Sequence, residues 1–216
     1  MLLRFSHKLS HLRRPAQASN ICQLGRAVPS LDSDVYVQPG AHIVGDVRIG
    51  AQSSVWFGAV IRGDHTRVEI GARTNIQDLA VLHGLPGNPV QIGDGVSVGH
   101  HAIIHGCAIG ENCLIGMGAI VLDGAVIASN TIAGAGAVVP GGYSGPEGVL
   151  LLGAPARVVR NLTAAEIGCI RSNALTYASL ARRYQQELSP LSHGDETAAS
   201  TNFEGMAALR RFLALT

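Results

Sequence analysis

From Val37 to Val139, branched apolar residues recur with a period of six. They fall at Val37, Ile43, Ile49, Val55 and Ile61, and after a nine-residue step at Ile70, Ile76 and Leu82. A ten-residue step leads to Ile92, Val98 and Ile104, and a five-residue step to Ile109, with Ile115, Val121, Ile127, Ala133 and Val139 following. An amphipathic helix repeats its apolar positions at three, four and seven residues, so a period of six excludes it. The period fits a parallel β-helix: short flat strands, a turn every six residues, and three hexapeptides per triangular coil. Residues roughly 18 apart then stack at the inter-strand spacing of ~4.8 Å, with the branched residue pointing inward. The run predicts about five or six coils. The 27 glycines and 4% aromatic content suit it, because tight turns and small side chains fill such a coil.

The flanks read differently. Residues 1–22 hold Arg4, Lys8, Arg13 and Arg14, no acid occurs before Asp32, and Leu2, Leu3, Phe5, Leu9 and Leu12 can share a helical face. That is the composition of an organelle transit peptide; an N-terminal extension lying loose or on the surface is the alternative. The β-helix domain is expected over 23–160, with Pro140 to Pro155 as the loop leaving the coil. A C-terminal α-helix packed on the coil is expected over 161–188, opened by a Thr163–Glu166 capping box. Ile167, Ile170, Ala174, Tyr177, Ala178 and Ala181 recur there at helical spacing. Residues 189–216 read as a flexible tail, in which 203–213 can form a short amphipathic helix. The four cysteines show no CxxC spacing, which argues against a disulfide framework and for a reducing compartment. A net charge of +1 gives no case for nucleic acid, and no apolar run approaches the ~18–20 residues of a membrane-spanning helix.

Four histidines, His83, His100, His101 and His105, lie within the segment Val81–Cys107. Leu82 and Ile104 are inward positions three faces apart, so His83 and His105, each one residue later, stack on one wall of successive coils and point outward. Their spacing suits two ligands of one metal ion. His100 lies one face earlier, where it cannot turn the corner within its own chain but can reach the pair from a neighbour in a threefold ring. Three imidazoles and one open position form the ligand set of a catalytic zinc. The competing reading of the stacked pair is a structural ladder; His101 has no matching partner and reads as surface. Ile61 is three faces before Leu82, so Arg62 stacks under His83, with Asp64 close by, and Gln77 and Asp78 flank the preceding corner. For Arg62 and Asp64 the competing reading is a salt bridge that stabilises the coil.

These residues, RGD…NIQD…LH…VGH…IHGC, resemble the γ-class carbonic anhydrases, and the resemblance runs from about Gln23 to Leu188. It implies an all-β fold, a left-handed parallel β-helix with a C-terminal α-helix. It implies zinc, with Fe2+ or Co2+ possible on the same imidazoles, held by His83 and His105 of one subunit and His100 of its neighbour. The family's water-positioning glutamine falls on Gln77, and its Arg–Asp interface residues on Arg62, Asp64 and Asp78. Asn173 and Tyr177 lie where related proteins carry SA-x-NY. Two features depart from the archaeal-type pattern. His65 replaces an acidic residue taken as a proton relay, and the acidic loop after the first ligand shrinks to GLPGNP. An imidazole can carry protons at neutral pH, which makes His65 a candidate proton carrier; the competing reading is an inert surface residue.

The implied reaction is reversible hydration of CO2 to bicarbonate, by a homotrimer or a heterotrimer with related γ-type subunits. Mitochondrial members of the family are associated with the membrane arm of respiratory complex I, on the matrix side. A largely structural subunit of that complex is therefore a rival expectation. A second rival is a hexapeptide-repeat acyltransferase, whose closing motif GAPARVVR resembles.

Overall fold

The computed structural model describes residues 20–189. The expectations for a transit peptide, for a flexible tail over 189–216 and for a helix over 203–213 therefore lie outside the described residues, except for the last few residues of the N-terminal segment and residue 189. The described chain is a parallel β-solenoid of about 7 turns closed by one C-terminal helix.

Each turn contributes one short strand to each of three walls. The first wall stacks the start of Val60–Ile70 with Val81–His83, Ile103–His105, Ile120–Val121 and Val138–Val139. The second stacks Tyr36–Val37, Ser54–Val55, Asn75–Ile76, Ser97–Val98, Leu114–Ile115, Ile132–Ala133 and Val149–Gly153. The third carries Val90–Ile92, Ala108–Ile109 and Val126–Ile127 below the far half of Val60–Ile70. Their registers follow the hexapeptide arithmetic: Ile43, Ile61, Leu82, Ile104, Val121 and Val139 form one inward ladder. All six are fully buried. Burying an aliphatic side chain of this size contributes about 1.5–3 kcal/mol, and the ladders on all three walls supply the core.

The number of turns exceeds the expected five or six because the solenoid continues past both ends of the regular repeat. At the N-terminal end Ile21–Cys22 and Ser30–Leu31 pair with His42–Ile49. At the other end Val149–Gly153 stacks in parallel on Ile132–Ala133, so 140–155 is not simply an exit loop. Leu151 takes the inward position there and is fully buried. Ala156–Asn161 then turns back antiparallel against Val149–Gly153, so GAPARVVR is an edge strand before the helix begins.

The helix Ala164–Glu187 opens on the Thr163–Glu166 capping box, with both reciprocal bonds made. Its buried residues are Ile170, Ala174, Ala178 and Ala181, one face at helical spacing. Small alanines let it lie close along the second wall. Tyr177 and Tyr184 pack on Trp56 with ring centroids 5.5 and 5.1 Å apart. No helix among the described residues is long and apolar enough to cross a membrane.

Candidate metal centre

The first wall sets the geometry. In-register pairing places Arg62, His83 and His105 on consecutive turns. All three follow a fully buried residue, and side chains alternate along a strand, so they project outward. His83 Nδ1 and His105 Nε2 face each other at 3.2 Å.

The other nitrogen of each ring is held by a carboxylate. His83 Nε2 lies 3.1 Å from Asp64 Oδ1, and His105 Nδ1 lies 2.8 Å from Asp123 Oδ1. An ionised carboxylate only accepts, so the ring proton sits on the nitrogen facing it. Each ring therefore turns a lone pair toward the other. Two lone pairs at 3.2 Å repel unless a cation, proton or metal, lies between them. The proton is the weaker candidate, because burial, helped by the Arg62 guanidinium, holds the His83 imidazole below its ordinary pKa. Asp64 works against this, since its charge favours the imidazolium, but burial and Arg62 outweigh it. Asp64 itself stays ionised: burial raises its pKa, but hydrogen bonding from Arg62 and the backbone more than offsets this. A tetrahedral ion with metal–nitrogen bonds of ~2.0–2.1 Å separates two ligand nitrogens by about 3.3 Å. The pair thus fits a metal without rearrangement.

His100 repeats the device on the second wall. Its Nδ1 lies 2.7 Å from Asp78 Oδ2, which leaves Nε2 presenting its lone pair. His100 and Asp78 are both about one-third exposed at the side chain. The structure does not bring His100 to the His83–His105 pair within one chain. Among the described residues, the metal-sized group of possible ligands is Asp64, His65 and His83. Asp64 is poorly placed to serve there. It already accepts hydrogen bonds from Arg62, the His65 backbone and His83, the pattern of a residue that orients a ligand.

His65 stands beside the pair, its ring centroid 5.8 Å from that of His83 and its side chain 54% exposed. Gln77, His100, Asn173 and Tyr177 line a common cavity of about 110 Å³ with Leu114, Met117 and Ile132. Gln77 is 5% exposed and its Nε2 donates to Asn75 Oδ1 at 2.9 Å. The Asn75 amide donates to Ser97 Oγ, and so does that of Asn173 on the helix, each at 2.9 Å. This chain fixes the Gln77 amide with Oε1 as the remaining acceptor. Burial, with the charge of Asp78, pushes the Tyr177 hydroxyl up to about 12, so it stays protonated at neutral pH. His101 adopts a left-handed φ of 59° at a corner, its backbone N–H bonded to Asp78 O.

Sequence reasoning missed Asp123 and Ser97. Extending the register by one turn finds Asp123, since Ile104 stacks on Val121. Ser97 stacks directly on Asn75.

A hexapeptide-type parallel β-helix carrying carboxylate-backed outward histidines defines the class. No protein-family model matches the chain. It is 40% identical over 193 residues to "Gamma carbonic anhydrase 2, mitochondrial" of Arabidopsis thaliana, covering 86% of this chain and 68% of that protein. It is 52% identical over 150 residues to "Probable carbonic anhydrase" of Methanocaldococcus jannaschii, covering 69% and 94%. The solved structure of a hexapeptide transferase family protein from Anaplasma phagocytophilum superposes with a TM-score of 0.73 at 38% identity, covering 76% of this chain and 96% of that one. The chain belongs to the γ-class carbonic anhydrase family.

Proposed function

We propose that the protein is a carbonic anhydrase that hydrates CO2 reversibly to bicarbonate at divalent-metal sites shared between the subunits of a trimer. One observation carries this reading: the His83 and His105 lone pairs converge at 3.2 Å, each ring backed by a carboxylate. His100, prepared in the same way by Asp78, is the third ligand, contributed by the neighbouring subunit. Zinc suits three neutral imidazoles; Fe2+ and Co2+ suit them too. When bound, such an ion makes a water nucleophilic near neutral pH and leaves one position open for substrate.

The chain's own residues do the rest. Gln77 Oε1 accepts a hydrogen from the attacking water and aims its lone pair at the CO2 carbon. Asn173 supports Gln77 through Ser97 and Asn75, and Tyr177 closes the cavity wall. His65 takes the released proton toward solvent. Arg62 holds Asp64, which holds His83, and at the subunit boundary Arg62 and Asp78 are placed to join neighbouring chains. The names of the plant relatives support a mitochondrial location, and attachment to the respiratory complex I membrane arm is the finer form of that proposal. Migration of the native protein only as a small free trimer would remove the complex I part.

The direct test is a His100→Ala variant. It is expected to lose metal and CO2 hydration while keeping its trimer, read by metal analysis and sedimentation. Full metal occupancy in the variant would refute the shared site.

A further inference from the structure

Asp123 lies in the turn after Ile120–Val121, one turn of the solenoid beyond His105. Counting on from the Ile104–Val121 pair sets Asp123 opposite Gly106. The Gly124 N–H donates to Gly106 O at 2.7 Å and the Gly142 N–H to Asp123 O at 2.9 Å, which pins this corner to the turns on either side. From there the Asp123 carboxylate reaches back to His105 Nδ1 at 2.8 Å. Gly106 makes the approach possible. Its φ is +53°, and a Cβ at that position would fall 2.0 Å from Asp123 Oδ1 and 2.9 Å from Asn88 Cβ. The space a side chain would fill is the space the carboxylate occupies.

We infer that Asp123 is the positioning residue of the metal centre, holding the His105 ring so that Nε2 faces the ion, and that Gly106 is the notch that admits it. The inference rests on the metal reading above. The carboxylate accepts the Nδ1 proton, which selects one tautomer and one ring orientation, and it raises the basicity of Nε2. The competing role is an ordinary half-exposed ion pair with a protonated His105. Such a pair has little effect on stability, and removing it does not weaken metal binding, because a protonated ring must lose its proton before it can bind an ion.

The two roles separate in a metal-binding measurement on the assembled protein. Co2+ or Zn2+ is titrated in competition with a chromophoric chelator, and the visible spectrum of the cobalt form is recorded. Asp123→Ala is expected to bind metal about 10–100-fold more weakly and to shift the cobalt spectrum, with the unfolding midpoint and trimer unchanged. Asp123→Asn keeps an acceptor oxygen and is expected to recover most of the affinity. Gly106→Ala, which leaves Asp123 in the sequence but crowds it, is expected to reproduce the loss. If Asp123→Ala and Asp123→Asn both bind as tightly as the wild type, the inference is overturned while the metal site stands. If the wild type takes up no metal, the site reading fails and the inference goes with it.

Discussion

At the scale of single residues, burial sorts chemically identical groups into different roles. Cys107 and Cys113 lie inside the solenoid, and burial pushes both thiols up to about 12. Cys22 and Cys169 are exposed. The thiolate is the reactive species, so the folded protein at pH 8 is expected to show two thiols that react readily with a maleimide or a disulfide reagent. The other two should become reactive only on unfolding, and mass mapping of the labelled positions checks the assignment. Rapid native labelling of Cys107 or Cys113 would mean that the coil opens locally there. The same sorting divides the histidines. His83, His100 and His105 each have a carboxylate on one nitrogen, whereas His101 serves a corner through its backbone.

At the scale of elements, the C-terminal helix is fixed at its start by charge as well as by its cap. Hydrogen bonds from Arg160 and from the Thr163 backbone hold Glu166 at about 2, below its ordinary 4.5. A carboxylate whose folded pKa is depressed stabilises the fold above its unfolded pKa, and that contribution is lost as pH falls through the folded value. Glu166→Gln keeps an acceptor for the Thr163 N–H and removes the charge. It is expected to cost about 1 kcal/mol at pH 7, less than the full shift implies, because Arg160 is 43% exposed and water screens the pair. The gap should close between pH 4.5 and about pH 2. Urea unfolding followed by Trp56 fluorescence reads this directly, since the single tryptophan packs on Tyr177 and Tyr184 of this helix. A gap that does not change with pH would remove Glu166's charge from the account.

The legibility of the sequence also divides by element. The inward ladders could be read because one residue in six must be apolar and branched, and a one-residue slip would expose the whole set. The same count placed Arg62, His83 and His105 in register. The Val149–Gly153 turn escaped because the count of six falls on Gly145 after Val139, so the apolar signal lapses for one position, although Leu151 stays in phase 18 residues past Ala133. The antiparallel return of Ala156–Asn161 escaped because its outward Val158 and Val159 resemble any apolar pair. Asp123 escaped because outward polar positions carry no period. Only the fold shows that its carboxylate turns back over a glycine.

For the whole molecule, the proposed metal site turns on whether His100 meets the other two imidazoles across a subunit boundary. Among the described residues of one chain the possible ligands gather as Asp64, His65 and His83, and His100 stands on another wall. On the first wall, the outward residues Val60, Val81, Ile103, Ile120 and Val138 stack in register beside the histidine pair. Val81 and Ile103 are 38% and 39% exposed, an apolar stripe suited to a second copy of the chain. A closed threefold ring would place the His100 wall of one subunit against this stripe of the next. This makes a prediction that a single-chain site cannot meet. His100→Ala and His83→Ala chains, each expected to lack metal alone, are unfolded together in equal amounts and allowed to reassemble. A site is intact when the His100→Ala chain supplies the His83–His105 pair and the His83→Ala chain supplies His100. Random assembly makes that so at roughly a quarter of the sites. Metal content and CO2 hydration should both return to about that fraction of the wild-type value. A site built within one chain recovers neither, whatever the mixing ratio.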